Sequence, residues 1–289
     1  MYAYRPRRSA LYVPASNSKA LAKATTLAVD VVILDLEDAV APEMKDQARA
    51  TAADALRSGD FGARELVLRV NGIDTPWGLE DLAMAAASRA DAVLVPKING
   101  PEDLDVYAKQ LGEAPPELQL WAKVETCRCI PALPAIAARS ADTRLRAFVV
   151  GTNDLAKEMR ARLTPARTPF LPALAATVQA ARAFDLGVLD GVCNEFRDDA
   201  RFRAEALQGV EFGFDGKTLI HPAQVATCNE VFAPSVEEIA WAAAVIEAFA
   251  LPENAGKGAI KVDGQMIELL HLAQAQQLCA IADAIGERL

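Results

Sequence analysis

The sequence has few histidines, no long apolar run and no excess of positive charge, and each shortage argues against a class of function. Only two of the 289 residues are histidine, which argues against a His-rich zinc or iron centre. No apolar stretch approaches the roughly 20 residues that cross a membrane. The formal net charge is -9, whereas a nucleic-acid groove needs a basic face. We therefore expect neither a membrane nor a nucleic acid as partner, although local Arg and Lys can still bind a small anion.

The five cysteines do not form a recognisable framework. Their number is odd, and Cys127 and Cys129 lack the second pair that a zinc finger requires. The N-terminal segment MYAYRPRRSALYVP is positively charged but has no adequate apolar run before its proline, so we predict no signal peptide. Reduced thiols in a cytoplasmic protein are the expectation.

Short apolar runs that end in a charged residue recur along the chain, for example VVILDLED, LVLRVNG, AVLVPK, LWAKVET and FVVGTND. They are typical of strands buried on both faces, and Ala-rich stretches of helical period separate them. We predict eight strands, at residues 9–14, 31–36, 65–70, 91–96, 119–125, 146–151, 187–192 and 209–214. Eight βα units without a domain-sized insert favour a closed (β/α)8 TIM barrel, whose active site lies at the C-terminal strand ends.

The composition changes after Pro234. We predict a helix at residues 236–251, a loop rich in turn formers at 252–264 and a second helix at 266–285. The expected domains are a catalytic barrel over residues 1–235 and a C-terminal helical extension over residues 236–289. This extension is a candidate lid or subunit-exchange element. The alternative is a helix pair that only packs on the barrel.

Two carboxylates follow neighbouring strands of the predicted barrel. Glu125 ends the fifth strand, and Asp154 comes just after the sixth. Neighbouring strand ends place such groups within reach of one ion, and two carboxylates with waters and ligand oxygens are a usual Mg²⁺ site. The alternative is that each carboxylate caps the helix that follows it.

Arg69 lies among apolar residues at the end of the third strand, in the segment LRVNG. A buried arginine needs an anionic partner, because an unpaired buried charge costs several kcal/mol. The partner is either a substrate carboxylate, which arginine can hold with two hydrogen bonds, or an internal carboxylate such as Glu37 or Asp38.

Taken together, these segments resemble the HpcH/HpaI aldolase and citrate lyase β-subunit superfamily, and within it the CitE-like acyl-CoA lyases. The resemblance is carried by RSALYVPASNSKALAKA, DVVILDLEDAVAPEMKDQAR, LVLRVNGIDTPWGLEDL, VETCRCI, FVVGTNDLA and GFDGKTLIHPAQV, which follow one another in the family's order. The tail segment VDGQMIELLHLAQAQQL resembles the family's C-terminal segment.

The resemblance implies a TIM barrel with a Mg²⁺ site, a CoA or acyl-carrier thioester as substrate, and a homo-oligomer, commonly a trimer. It also implies roles for particular residues. Glu125 and Asp154 would hold the metal, and Arg69 and Glu125 would contact the substrate. Tyr12 and Lys19 would help to bind the nucleotide part of CoA.

The chain departs from the family pattern at two places. Active CoA lyases of this family usually have Gly-x-Met-Ile/Val-Asp in the tail, and the Asp acts as an acid/base residue in a neighbouring subunit's site. This chain has Glu268 at that position, one methylene longer. Cys127 and Cys129 replace residues that are usually Pro or Gly and Ala or Gly, and they lie beside Glu125.

We therefore predict a Mg²⁺-dependent carbon–carbon lyase that cleaves a 3-hydroxyacyl-CoA thioester, such as malyl-CoA or citramalyl-CoA. The products would be a 2-keto acid and an acyl-CoA, with Arg69 and Glu268 as catalytic residues. One alternative is a citryl-thioester lyase subunit, or a lyase that also hydrolyses the thioester. An alternative of another class is a barrel that binds CoA thioesters without turnover.

Overall fold

Eight parallel strands form a closed barrel in chain order, and the last strand pairs with the first. The structure is a computed structural model that describes residues 5–262 and 264–286. The barrel strands are β1 (Ser9–Pro14), β2 (Val31–Asp35), β3 (Glu65–Arg69), β4 (Ala92–Val95), β5 (Gln119–Val124), β6 (Leu145–Val150), β7 (Gly187–Asp190) and β8 (Gly216–Leu219). The predicted TIM barrel is confirmed.

Helices follow the strands, as a parallel sheet requires. In the barrel they are α1 (Ser18–Ala24), α2 (Lys45–Ser58), α3 (Gly78–Ala86), α4 (Pro101–Gln110), α5 (Cys129–Ala138), α6 (Thr152–Met159), α7 (Leu171–Ala183), α8 (Asp199–Phe212) and α9 (Val225–Val231). Short 3-10 turns lie at Pro42–Met44, Arg139–Ala141, Thr168–Phe170 and Pro222–Gln224.

The last barrel strand is not where the sequence pattern indicated. Residues 209–212 form the end of α8, which stops at Gly213 in the left-handed conformation (φ 91°) that glycine adopts without a steric penalty. The strand is GKTL instead, and all four of its residues are buried. Its lysine, Lys217, forms ion pairs with Asp190 and Glu205 at 2.8 Å each, which is why a charged residue is tolerated in a buried strand.

The barrel interior is apolar at its centre and polar toward the C-terminal strand ends. The central layer is built from small and branched side chains with one large aromatic ring, namely Ala10, Val31, Ile33, Val67, Ala92, Leu94, Trp121, Ala147, Val149 and Leu189. Side chains alternate along a strand. The next interior positions are therefore Tyr12 on β1, Asp35 on β2, Arg69 on β3 and Lys123 on β5, and they form the floor of a polar chamber.

Residues from Val231 onward belong to a second compact unit, distinct from the barrel unit Arg7–Glu230. This unit contains α10 (Val236–Ala250), a 3-10 turn at Pro252–Asn254, the antiparallel strands β9 (Ala259–Val262) and β10 (Gln265–Glu268), and α11 (Leu269–Gly286). Its core contains Ala242, Val245, Ile260, Ile267 and Ala275. The prediction of a helix from Met266 was wrong, because Ile267 pairs with Ile260 across a hairpin and the helix begins at Leu269.

None of the helices in the described part of the chain is long and apolar enough to cross a membrane.

Candidate active site

Glu125 follows directly after β5 and lies inside the barrel mouth. Its side chain is buried, and Oε1 accepts the backbone N–H of Lys97 at 2.9 Å. That N–H points toward Glu125 from the loop after β4, where Lys97 adopts a left-handed conformation with φ 52°. The carboxylate is therefore held in place by the neighbouring strand's loop.

Asp154 lies in the first turn of α6, and the structure brings it close to Glu125. The ammonium group of Lys123 links the two carboxylates, since its Nζ lies 2.6 Å from Glu125 Oε2 and 3.7 Å from Asp154 Oδ2. Asp154 is only partly buried, with its side chain 32% exposed. One carboxylate is thus fixed in the interior and the other faces the opening, with a cation between them.

Gly151, at the end of β6, provides the room for this arrangement. A β-carbon at position 151 would lie 2.6 Å from both Cβ and Oε2 of Glu125, and 3.3 Å from Cε of Lys123. A contact of 2.6 Å is a severe overlap, so no residue with a side chain fits here without moving the carboxylate. The glycine of the FVVGTND segment is therefore part of the site.

The surroundings of Glu125 suit a hard cation. Burial raises the pKa of Glu125 to about 7, against the opposing effect of Lys123. Its Oε2 has one close contact, the ion pair with Lys123 Nζ at 2.6 Å, and no other described residue donates a hydrogen bond to it. Carboxylate oxygens are the ligands that Mg²⁺ prefers, usually one or two of them together with waters and substrate oxygens.

This donor set fits Mg²⁺ better than zinc or iron. Among the described residues, no three His, Cys, Asp or Glu side chains converge on a point that could hold a metal ion. Glu125 and Asp154 could thus hold an ion whose other positions belong to water and substrate. A fully protein-built metal cage is not present in the described part of the chain.

Arg69 is paired with carboxylates of the β2 end. Its Nε donates to Asp35 Oδ1 at 2.7 Å and its Nη2 to Asp35 Oδ2 at 2.5 Å, a two-pronged contact. Nη1 lies 2.9 Å from Glu37 Oε2 and donates to Asp38 Oδ2 at 3.0 Å. The internal ion pair considered from the sequence is therefore present, with Asp35 as the main partner, and the substrate contact of Arg69 stays a prediction.

The Arg69 side chain stays protonated despite its burial. Burial lowers the pKa of Arg69, but Asp35 and the other anionic neighbours more than offset this and hold the pKa well above its ordinary value. Asp38 is half exposed, so the Nη1 edge of the guanidinium faces a carboxylate that can move away. An incoming anion could take that carboxylate's place at this edge.

Tyr12 lies in the same chamber, with the guanidinium carbon of Arg69 4.7 Å from the centre of its ring. A cavity of about 280 Å³ is lined by Tyr12, Asp35, Arg69, Lys123, Gly151 and Asp154, among others. Burial raises the pKa of Tyr12, so its phenol is neutral. The ring thus lies at the floor of the chamber, and its predicted contact with the nucleotide part of CoA stays a prediction.

Two further residues were predicted to take part in the site. Lys19 is exposed on α1. Glu268 is exposed at the end of β10 in the C-terminal unit, where its backbone N–H donates to His271 Nδ1 at 2.9 Å. Their roles stay predictions.

Lys123 is the site residue that the sequence pattern did not reveal. It is two positions before Glu125, so strand alternation alone places both side chains on the interior face of β5. Burial lowers the pKa of Lys123, but neighbouring groups, the Glu125 carboxylate among them, raise it more, so the amine is charged at neutral pH.

Comparison with known proteins identifies the family. Residues 8–222 match the HpcH/HpaI aldolase/citrate lyase family, and the chain belongs to it, so the predicted family is confirmed. The chain is 46% identical to a (3S)-malyl-CoA thioesterase of Cereibacter sphaeroides over 281 residues, covering 97% of this chain and 96% of that one. It is 33% identical to the human mitochondrial citramalyl-CoA lyase, covering 99% of this chain and 88% of that one.

A solved structure shows the same architecture. CitE from Mycobacterium tuberculosis, in complex with magnesium, acetoacetate and coenzyme A, has a TM-score of 0.77 and 28% identity, covering 98% of this chain and 100% of that one. The family and these relatives confirm the prediction of an enzyme from a family of carbon–carbon lyases.

Proposed function

We propose that this protein is a Mg²⁺-dependent carbon–carbon lyase acting on a 3-hydroxyacyl-CoA thioester that carries a carboxylate at C3, such as malyl-CoA or citramalyl-CoA. The observation that carries this proposal is that the Lys123 ammonium links Glu125 to Asp154, while Lys123 and Asp154 line one cavity together with Arg69. The likeness to a malyl-CoA thioesterase and a citramalyl-CoA lyase supports the substrate class.

We assign metal binding, stabilisation of the enolate and proton transfer to different residues. Glu125 and Asp154 would hold the ion, which supplies positive charge to the substrate's C3 carboxylate and hydroxyl oxygens. Loss of the hydroxyl proton and cleavage of the adjacent carbon–carbon bond yield a 2-keto acid and the enolate of an acyl-CoA. Arg69 would stabilise the negative charge of that enolate. Glu268 is our candidate for protonating the enolate carbon.

The assembly and location belong to the same proposal. We propose a homo-oligomer, a trimer in the simplest case, in which Glu268 of one subunit serves the chamber of another. We also propose that the protein works in the cytoplasm, because all five of its cysteines are free thiols.

A second reaction, hydrolysis of the thioester, is favoured by the 46% identity to a malyl-CoA thioesterase. Both reactions start from the same bound substrate but break different bonds. Cleavage of malyl-CoA gives glyoxylate and acetyl-CoA and releases no free thiol. Hydrolysis gives malate and free CoA, and no keto acid.

The test is to incubate the purified protein with malyl-CoA and citramalyl-CoA, with Mg²⁺ or with EDTA, and to measure keto acid and free thiol in parallel. We expect keto acid to form with Mg²⁺ and not with EDTA. Free thiol without keto acid would instead establish a thioesterase. Neither product, together with measurable binding of the thioester, would establish a binding protein without turnover.

A further inference from the structure

The proposed metal site already contains a cation that belongs to the protein. Lys123 Nζ lies 2.6 Å from Glu125 Oε2, 3.7 Å from Asp154 Oδ2 and 4.0 Å from Asp38 Oδ2. Its side chain is 7% exposed, so water screens this interaction only weakly. The nearest contact of the ammonium is to the same oxygen that we expect to bind the metal.

We propose that Lys123 is the counter-cation of the metal site, and that a divalent ion binds by displacing its ammonium group from Glu125. This inference rests on the proposed Mg²⁺ site. Mg²⁺ binds oxygen at about 2.0–2.1 Å in a strict octahedral geometry. An ammonium group at 2.6 Å from the same oxygen would repel the ion at close range, so the two cations compete for Glu125 Oε2.

A second carboxylate, that of Asp38, lies close enough to pair with the displaced ammonium group. Asp38 is 55% exposed and lies 4.0 Å from Nζ, so a small rotation of the lysine brings the two together. The missing β-carbon of Gly151 leaves room beside Cε of Lys123 for this rotation. After the movement, Lys123 would still line the chamber with Arg69, as a second cation facing an anionic substrate.

Two measurable consequences follow for Lys123→Met, which removes the charge and leaves an unbranched side chain one atom shorter. The variant should bind Mg²⁺ more tightly, because no cation has to be displaced. In EDTA it should be less stable than the wild type, because a buried carboxylate loses its partner. Added Mg²⁺ should therefore raise its thermal midpoint more than that of the wild type.

Lys97→Met is the matched control. It removes the same charge from the same rim, but Lys97 Nζ is 3.5 Å from Glu37 and its side chain is 58% exposed. Its hydrogen bond to Glu125 comes from the backbone N–H, which the substitution keeps, and its ammonium group acts on Glu125 and Asp154 only at longer range. Any effect of net charge alone on Mg²⁺ binding would appear in both variants.

The experiment is calorimetric titration of the metal-free proteins with MgCl₂, together with thermal melting in EDTA and in Mg²⁺. We expect Lys123→Met to lower the Kd for Mg²⁺ by at least about tenfold, and Lys97→Met to change it less than about threefold. In EDTA, the Lys123→Met and Glu125→Gln double variant should regain thermal midpoint relative to Lys123→Met alone. If Lys123→Met does not fold, we expect the same changes in Kd and thermal midpoint for Lys123→Gln.

The failures of the two proposals differ. If the wild type binds Mg²⁺ and Lys123→Met binds it equally or more weakly, the ammonium group positions Glu125 rather than competing with the ion, and this inference is wrong while the metal site stands. If the wild type gives no binding heat in a titration that detects Mg²⁺ on a positive control, the metal site and this inference both fail.

Discussion

Gly151 packs so tightly against Glu125 that a β-carbon at position 151 would lie 2.6 Å from the carboxylate oxygen Oε2. The proposed metal ligand and the glycine follow directly after neighbouring strands, β5 and β6, whose last paired residues are Val124 and Val150. The close approach means that the position of the carboxylate depends on the absence of a side chain across the strand pair.

We expect Gly151→Ala to weaken Mg²⁺ binding by more than about tenfold, because the added methyl group pushes Glu125 away from Asp154. Overpacking of this kind also costs about 1–3 kcal/mol of stability. Gly258→Ala is the control, since nothing lies within 4 Å of the added β-carbon there. Calorimetric titration with Mg²⁺ measures the effect, and unchanged affinity in Gly151→Ala would show that the carboxylate position is not critical.

Arg69→Lys should reduce kcat/KM by at least about tenfold, because lysine cannot supply the planar fork that arginine offers. The two-pronged contact with buried Asp35 would be lost as well, so we also expect a lower thermal midpoint. Arg57→Lys, in an exposed ion pair with Asp54, is the control and should change neither. Assays far below the melting range separate the effects, and normal kcat/KM there would make Arg69 purely structural.

Lys217→Met should destabilise the barrel by about 3–5 kcal/mol, because Asp190 and Glu205 would share Arg167 as their remaining buried cation. Arg203→Met breaks only an exposed pair with Glu230 and should cost less than about 1 kcal/mol. Chemical denaturation measures both variants. A loss below about 1 kcal/mol for Lys217→Met would contradict the assigned role of the network.

The stability contributed by this network should depend on pH in a defined way. Burial raises the pKa of Asp190, but Lys217 and Arg167 lower it more, so its contribution is lost as pH falls below about 4. Burial lowers the pKa of Lys217, but Asp190 and Glu205 raise it more, so its contribution is lost as pH rises above about 10. The difference between wild type and Lys217→Met should therefore be largest between these limits and shrink beyond them.

A chain with Glu125→Gln and a chain with Glu268→Ala should each be inactive alone and should partly restore activity when co-assembled. Some chambers would then combine an intact Glu125 from one subunit with an intact Glu268 from another. Differently tagged chains, purified through both tags, provide the mixed oligomers, and Glu268→Asp tests the extra methylene. An absence of recovery in verified mixed oligomers would mean that Glu268 acts in its own subunit or not at all.

The sequence predicted most of the barrel because buried parallel strands consist of continuous apolar runs. Seven of the strands lie where those runs are, within a residue or two at their ends. The eighth was placed at residues 209–214 because the true strand, GKTL, contains Lys217, whose charge is compensated by Asp190 and Glu205 on other elements. Such pairing across the fold is invisible in a local pattern.

The sequence predicts those site residues that follow directly after a strand, but not the contacts that form between strands. Glu125 and Asp154 are candidates because they follow neighbouring strands, and the structure places both near Lys123; their role as metal ligands stays a prediction. Lys123 was missed although strand alternation places it on the face of Glu125. The partnership of Arg69 with Asp35 depends on the register between β2 and β3, which no single segment reveals.

The most direct test of the account is Mg²⁺ titration of the wild type and Glu125→Gln by calorimetry, with circular dichroism and thermal melting as controls for folding. Glutamine keeps the size of the side chain and its acceptor for the Lys97 N–H, but removes the charge. We predict saturable binding of one Mg²⁺ per chain to the wild type and no measurable binding to the folded variant. Equal affinity in the two proteins would contradict the central claim that Glu125 holds the metal.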